Sequence, residues 1–224
     1  MLSGKTETSL SLAFALALTL ICSNVTQVVA NERAEPAASA QDIEPLEAGD
    51  RAPRFVVRTV DDEAYTFDPD NLERPTVLVS FRGGWCPYCN LHLSELRHVV
   101  PQLNEEGYDV LFLSGDAPAQ LYSSLQKETQ QDIDGLGYTI LSDASVAAAR
   151  AFGTAFRTDE GLNDYLDGKN FDYSEGSIGR HGALSVPYVY VVDTNGRIVF
   201  DFVEPDYKVR LPADELLAAA RKAQ

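Results

Sequence analysis

Residues 76–89 read TVLVSFRGGWCPYC. The first six are apolar or β-branched apart from one serine, with Pro75 before them and Gly83 and Gly84 after, which predicts a buried central strand over 76–81. Behind it, Leu91, Leu93, Leu96, Val99, Val100 and Leu103 recur mostly at steps of three and four. That spacing predicts a helix that starts at Cys86 or Pro87 and bends at Pro101. The stretch is therefore strand, glycine turn and helix, with two cysteines in the first helical turn.

That position has chemical consequences. A helix N-terminus presents unpaired N–H groups and about half a unit of positive charge, which favour a thiolate and should lower the pKa of Cys86. Cys86 is the expected nucleophile. Cys89, one turn deeper on the same face, can attack a disulfide formed at Cys86 and is the expected resolving thiol. A zinc site wants roughly four ligands, which one Cys-x-x-Cys and three scattered histidines supply poorly. A purely structural bridge is disfavoured because it would close too small a loop to constrain the unfolded chain. The pattern calls for no cofactor and no metal.

Working outward, residues 55–60 alternate, with Phe55 and Val57 facing one way, and further strands are expected at 110–113 and 138–141. Helices are expected at 119–127 and 146–152. Runs at 189–192 and 198–203 are joined through Asn195 and Gly196, whose positive φ angles suit a tight antiparallel hairpin. An amphipathic helix over 211–222 closes the chain, with Pro212 in its first turn. The alternation is that of an α/β protein with a mixed, largely parallel sheet flanked by helices. Residues 153–186, rich in Gly, Asp and Asn with scattered aromatics, form an insertion expected over the sheet.

The 224 residues suffice for one sizeable core, and 45% hydrophobic with 23% charged residues is an ordinary globular balance. A formal charge of −16 repels phosphate backbones and anionic membrane surfaces, which argues against nucleic-acid partners. At the N-terminus, Lys5 precedes an uncharged apolar run over 10–21, too short to span a bilayer, and small residues end at Ala30. This predicts a signal peptide over 1–30 and a periplasmic or secreted protein. An uncleaved anchor, or a lipid on Cys22, would instead hold it at a membrane. Cleavage removes Cys22 together with one Lys and one Glu, so the charge stays at −16 and only Cys86 and Cys89 remain. Residues 31–45, mostly Ala, Pro, Glu and Gln, read as a flexible leader to a domain over 46–224.

The stretches LEAGDRAPRF (46–55), FRGGWCPYCNLHLSELR (81–97), VPYVYVVDTNGRIVF (186–200) and VEPDYKVRL (203–211) together resemble the peroxiredoxin-like, Cys-x-x-Cys-bearing branch of the AhpC/TSA family. The resemblance implies a thioredoxin-like fold and a thiol oxidoreductase that takes a hydroperoxide or a protein disulfide and is reset by a thiol reductant. It also implies that Pro187 is cis, turning the Val186 backbone toward Cys86 to bind an extended substrate beside Trp85. The chain departs from the pattern at two positions. Gly83 stands where peroxiredoxins place a Thr or Ser hydroxyl, and Ser80 where thioredoxins place a buried acid.

Other residues invite weighing. His92 and Arg97 could align with the sulfurs along the helix, although a solvated face is the commoner outcome. Arg82 or Arg150 could supply the positive charge that no arginine directly before 189–192 provides. Copper bound by Cys86, Cys89 and His181 is the binding-module alternative to an enzyme. Asp206, Tyr207 and Arg210 read as a structural corner.

Overall fold

The computed structural model describes residues 35–223; the expected signal peptide lies outside them. The strands are β1 (Phe55–Arg58), β2 (Ala64–Phe67), β3 (Thr76–Phe81), β4 (Asp109–Ser114), β5 (Thr139–Ser142), β6 (Ala155–Arg157), β7 (Ala183–Ser185), β8 (Tyr188–Val192) and β9 (Ile198–Val203). The helices are α1 (Pro87–Leu96), α2 (Val100–Glu105), α3 (Lys127–Ile133), α4 (Ala147–Ala151), α5 (Glu160–Gly168), α6 (Ser177–His181) and α7 (Ala213–Lys222).

Seven strands form one sheet in the order β2-β1-β5-β4-β3-β8-β9. Only β3-β4 and β4-β5 are parallel, so the sheet is mixed rather than largely parallel. Every residue of β3 is buried, because helices cover one face and aromatic residues the other. Val77, Val79 and Phe81 pack with Leu93 and Leu96 of α1, Leu103 of α2 and Leu216 of α7. Leu78 points the other way, into a layer with Phe55, Phe67, Phe152, Tyr188 and Tyr190. The period-two alternation of a strand thus feeds two cores at once. Phe81 pairs with Ser114, so β3 and β4 end side by side, where ligand sites of parallel sheets form.

Several elements differ from the sequence reading. Pro101 sits in the first turn of α2, and the helix is broken between Leu96 and Val100 rather than bent, since proline cannot continue the hydrogen-bond ladder. The helix expected over 119–127 begins only at Lys127; before it lies a short 3-10 turn at Pro118–Gln120. Tertiary bonds override propensity there, because Ser124 Oγ donates to Asp116 (2.8 Å) and the Gln126 N–H to Asn90 Oδ1 (2.8 Å). In the β8-β9 hairpin only Gly196 has positive φ (+74°), and Asp193 organises the turn by accepting from the N–H groups of Asn195 and Arg197. The insertion builds its own β6-β7 ladder, and Leu166, Ile178 and Leu184 gather into a small core against Trp85 and Phe171.

The segment 35–45, read as flexible, is bonded to the domain. Ala37 exchanges hydrogen bonds with Ala155 and Arg157 at 2.9 Å each, and Ser39 caps a 3-10 turn at Ala40–Asp42. Main-chain pairing on the edge of β6 supplies what these small side chains cannot. Gly153 makes room for that segment: its φ is +70°, and an added Cβ would collide with the Glu44 carbonyl oxygen. Gly153→Ala should therefore cost at least about 1 kcal/mol from the left-handed backbone alone. Urea unfolding measures the cost, and proteolysis near residue 45 should quicken.

Candidate functional site

The turn between β3 and α1 is held by a carboxylate from the neighbouring strand. Asp116, just past the end of β4, accepts from the Gly84 N–H (2.7 Å), from Ser124 Oγ and from the Trp85 side chain. Burial raises its pKa to about 6 against the pull of those donors. Glycine is needed at both turn positions. A Cβ on Gly83 would strike the Trp85 indole nitrogen and lie 2.6 Å from Asp116 Oδ1, and one on Gly84 would strike Ser124. Asn90 completes the clamp by donating to the carbonyls of Gly84 (2.7 Å) and Cys86 (3.0 Å).

Cys86 is the N-cap of α1, with extended backbone, and Pro87 fits the first turn through its fixed φ. Both cysteines are free thiols and both are buried. Cys86 nevertheless lines a cavity of about 400 Å3 together with Arg82, Trp85, Tyr88, Tyr165 and Tyr207; Cys89 does not reach it. The Arg82 guanidinium lies between two rings, 5.1 Å from that of Trp85 and 4.4 Å from that of Tyr207. Its Nε is buried without a partner.

The segment after β9 closes the site from the other side. Arg210 Nη2 donates to Cys89 Sγ at 3.3 Å, Tyr207 meets Tyr88 edge-on at 5.8 Å, and His92 Nε2 lies 3.2 Å from the Leu211 carbonyl oxygen. The motif read as a structural corner thus reaches a sulfur. A single arginine in a loop carries no such signal in sequence. Asp116 was also missed, although an acid just beyond an apolar strand parallel to the cysteine-bearing one is a usable clue.

The two thiols are hydrogen-bonded to each other, which moves them in opposite directions. The hydrogen bond with Cys89, then burial, pushes the Cys86 thiol up, outweighing the Cys89 N–H and the Arg82 charge that favour its thiolate. Burial opposes ionisation of Cys89, but the Cys86 thiol and Arg210 bring it down to about 6. In the reduced pair Cys89, beside Arg210, is thus the more readily ionised sulfur.

Other expected residues are placed differently. Among the described residues no peptide bond is cis, so Pro187 is trans and starts β8 as an ordinary strand-opening proline. The Val186 N–H is donated to the Thr154 carbonyl (3.0 Å) and its carbonyl accepts from Ser185 Oγ (2.8 Å), leaving no N–H to offer an extended substrate. Trp85 lines the cavity beside Cys86. His181 ends α6 under the influence of Arg150 and Arg180, and among the described residues no cluster of His, Cys, Asp or Glu could hold a metal, so the copper arrangement does not form. Arg97 turns away to Asp132 (3.3 Å). His92 is buried rather than solvated, and burial, then the Arg210 charge, depresses its pKa to about 4.

That depression fixes a pH dependence. Below pH 6.5 the unfolded chain protonates His92 while the folded chain does not, so this group's contribution is complete above 6.5 and is lost as pH falls toward 4. Between pH 7 and 4.5 the wild type should lose on the order of 2 kcal/mol more stability than His92→Gln, measured by urea unfolding at both pH values.

Residues 48–201 match the model of the AhpC/TSA family. Over 110 residues the chain is 34% identical to peroxiredoxin Bcp of Escherichia coli K12, covering 49% of this chain and 65% of that protein. It thus spans just under two thirds of that relative's length. Over 75 residues it is 29% identical to the thiol-disulfide oxidoreductase ResA of Bacillus thuringiensis, covering 34% and 42%. Among solved structures, a peroxiredoxin-like protein from Aquifex aeolicus superposes with TM-score 0.59 at 19% identity, covering 85% of this chain and 98% of that one. Reduced Prx3 of Vibrio vulnificus in complex with hydrogen peroxide gives TM-score 0.59 at 18% identity, covering 78% and 99%. At these identities the structures bear on the fold, which is thioredoxin-like. A family model covering most of the folded domain, with paired cysteines after β3, places the chain in the AhpC/TSA family.

Proposed function

We propose that this protein is an exported thiol oxidoreductase that cycles Cys86 and Cys89 between dithiol and disulfide. The supporting observation is the division of labour between the sulfurs: Cys86 meets the cavity, whereas Cys89 lies behind it with Arg210. The Cys86 proton passes to the Cys89 sulfur, and the Cys86 thiolate attacks one sulfur of a substrate disulfide, forming a mixed disulfide and expelling the other half as a thiolate. Cys89 then gives up its proton to that leaving thiolate or to solvent. Its thiolate attacks Cys86, closes the Cys86–Cys89 bond and releases the rest of the substrate. A thiol reductant restores the pair. Export rests on the residue pattern over 1–30, and the mature chain should begin at Asn31, as mass analysis of the secreted or periplasmic protein would show.

A hydroperoxide is the second substrate reading, favoured by Arg82 at the Cys86 cavity. There the Cys86 thiolate takes the terminal peroxide oxygen and becomes a sulfenic acid, the O–O bond breaking so that the other oxygen leaves as water or an alcohol with the proton held on Cys89. The Cys89 thiolate then attacks the sulfenic sulfur and expels hydroxide, which solvent protonates. The glycine at position 83 counts against fast peroxide chemistry, since the Trp85 indole fills the space a hydroxyl side chain would need.

With dithiothreitol as reductant, the wild type should accelerate reduction of insulin disulfides. Cys86→Ser should fall to background, and Cys89→Ala should accumulate a mixed disulfide on Cys86. Full turnover by Cys86→Ser would overturn the assignment. Stopped-flow thiol loss with hydrogen peroxide decides the second reading, which is dropped if the rate is no greater than that of free cysteine.

A further inference from the structure

Arg210 was not among the residues expected at the site, and the proposed cycle gives it a specific task. In the reduced protein the Cys89 sulfur is favoured as an anion by the Cys86 thiol, by the backbone at Arg82 and by Arg210. The first of these disappears during turnover: once Cys86 is bonded to substrate sulfur it has no proton to donate. What remains on a side chain is the Arg210 guanidinium, 3.3 Å from Cys89 Sγ.

Among the described residues, no carboxylate is hydrogen-bonded to Cys89. The position that the thioredoxin likeness marks for a buried acid is Ser80, and Asp116 is already committed to Gly84, Ser124 and Trp85. His92, one turn along α1, faces the Leu211 carbonyl and is held neutral near Arg210. Arg82, at the end of β3, is engaged with the rings of Trp85 and Tyr207 on the Cys86 side. Cys86 and Arg210 are thus the side chains that act on Cys89, together with the backbone at Arg82.

Arg210 is also built in rather than draped over the surface. Its Nη1 donates to the carbonyls of Tyr207 and Val209, and its neighbour Leu211 is buried and accepts the contact from His92. The guanidinium is therefore aimed at the sulfur by its own loop and by α1.

We propose that Arg210 is a catalytic residue of the resolving step, holding Cys89 as a thiolate so that it attacks the Cys86 mixed disulfide without a carboxylate base. The step conserves atoms and electrons: the Cys89 thiolate pair forms the bond to Cys86 Sγ, and the Cys86–substrate bond breaks with its pair leaving on the substrate sulfur. This rests on the order of roles proposed above but not on the identity of the natural substrate.

The test uses dithiodipyridine, a neutral disulfide, in stopped flow with the reduced domain. Attack by Cys86 releases one thiopyridone, and attack by Cys89 on the resulting mixed disulfide releases a second, so the two steps appear as separate phases. In the wild type the second phase should hold its rate to a lower pH than in Arg210→Met, because the guanidinium still favours the Cys89 thiolate after the Cys86 proton is gone. In Arg210→Met the midpoint of that phase should move up, slowing the second phase below it by about threefold for each pH unit of the move, the loss of thiolate being partly offset by its greater nucleophilicity. The first phase should change less than about twofold, and Arg210→Lys should restore most of the lost rate. An unshifted second-phase midpoint in Arg210→Met, or equal slowing of both phases in both variants, would overturn the proposal. Failure of insulin and hydrogen peroxide as substrates would remove the functional reading while leaving these two phases, and hence this inference, standing.

Discussion

The site depends on one buried carboxylate. Asp116 takes the Gly84 N–H, the Ser124 hydroxyl and the Trp85 side chain, and so sets the path of the chain from β3 into α1. Replacing it with an apolar residue would leave the Gly84 N–H unsatisfied in a closed space, at a typical cost of about 1–3 kcal/mol. Its geometry also explains two sequence features that look merely permissive. Gly83 and Gly84 are glycines because the indole, the carboxylate and Ser124 occupy the volumes where their side chains would go. The Cys86 position follows: with the turn clamped and Pro87 opening the helix, its sulfur stays at the N-cap beside the cavity.

Charge at the site runs against charge on the molecule. The chain carries −16 overall, yet the side chains nearest the sulfurs include Arg82 and Arg210, while the buried acid at the turn is turned toward backbone and hydroxyl donors. A thiolate in a closed interior needs this local inversion, because desolvation alone would keep both thiols protonated. The two arginines divide the work by position. Arg82 lies with Trp85 and Tyr207 where substrate would enter, and Arg210 lies behind on Cys89. Tyr207, three residues before Arg210, joins them through its contacts with Arg82 and Tyr88, so one short segment after β9 serves both sulfurs.

The local pattern made the central strand, the cysteine turn and the closing hairpin legible, because each is specified by adjacent residues: six buried positions for β3, Pro87 at the helix start, Gly196 at the β8-β9 turn. What could not be read depends on contacts distant in sequence. The Asn90 side chain meets Gln126, and Arg210 meets Cys89 across 121 positions; neither pairing leaves a period or a spacing to detect. The delayed start of α3 has the same origin, since Gln126 gives its N–H to Asn90. The Val186-Pro187 expectation came from family likeness, and it gave way to the local hydrogen bonds that tie Val186 to Thr154 and Ser185.

Those bonds shift where a substrate is recognised. With the Val186 N–H spent inside the domain, the side chains that meet a partner at Cys86 are the rings of Trp85, Tyr88, Tyr165 and Tyr207, the guanidinium of Arg82, and Asp159 with Leu162. Aromatic walls with one cation and one carboxylate bind by shape and π-face contact, a mode tolerant of side-chain sequence in a way that main-chain pairing with an extended peptide is not. The α5 part of the wall belongs to the 153–186 insertion, whose small core is anchored on Trp85 itself. The insertion is therefore where this chain can adjust what reaches Cys86 without disturbing the Asp116 clamp, and a change in Tyr165 alters the cavity while leaving the sulfurs and Arg210 in place.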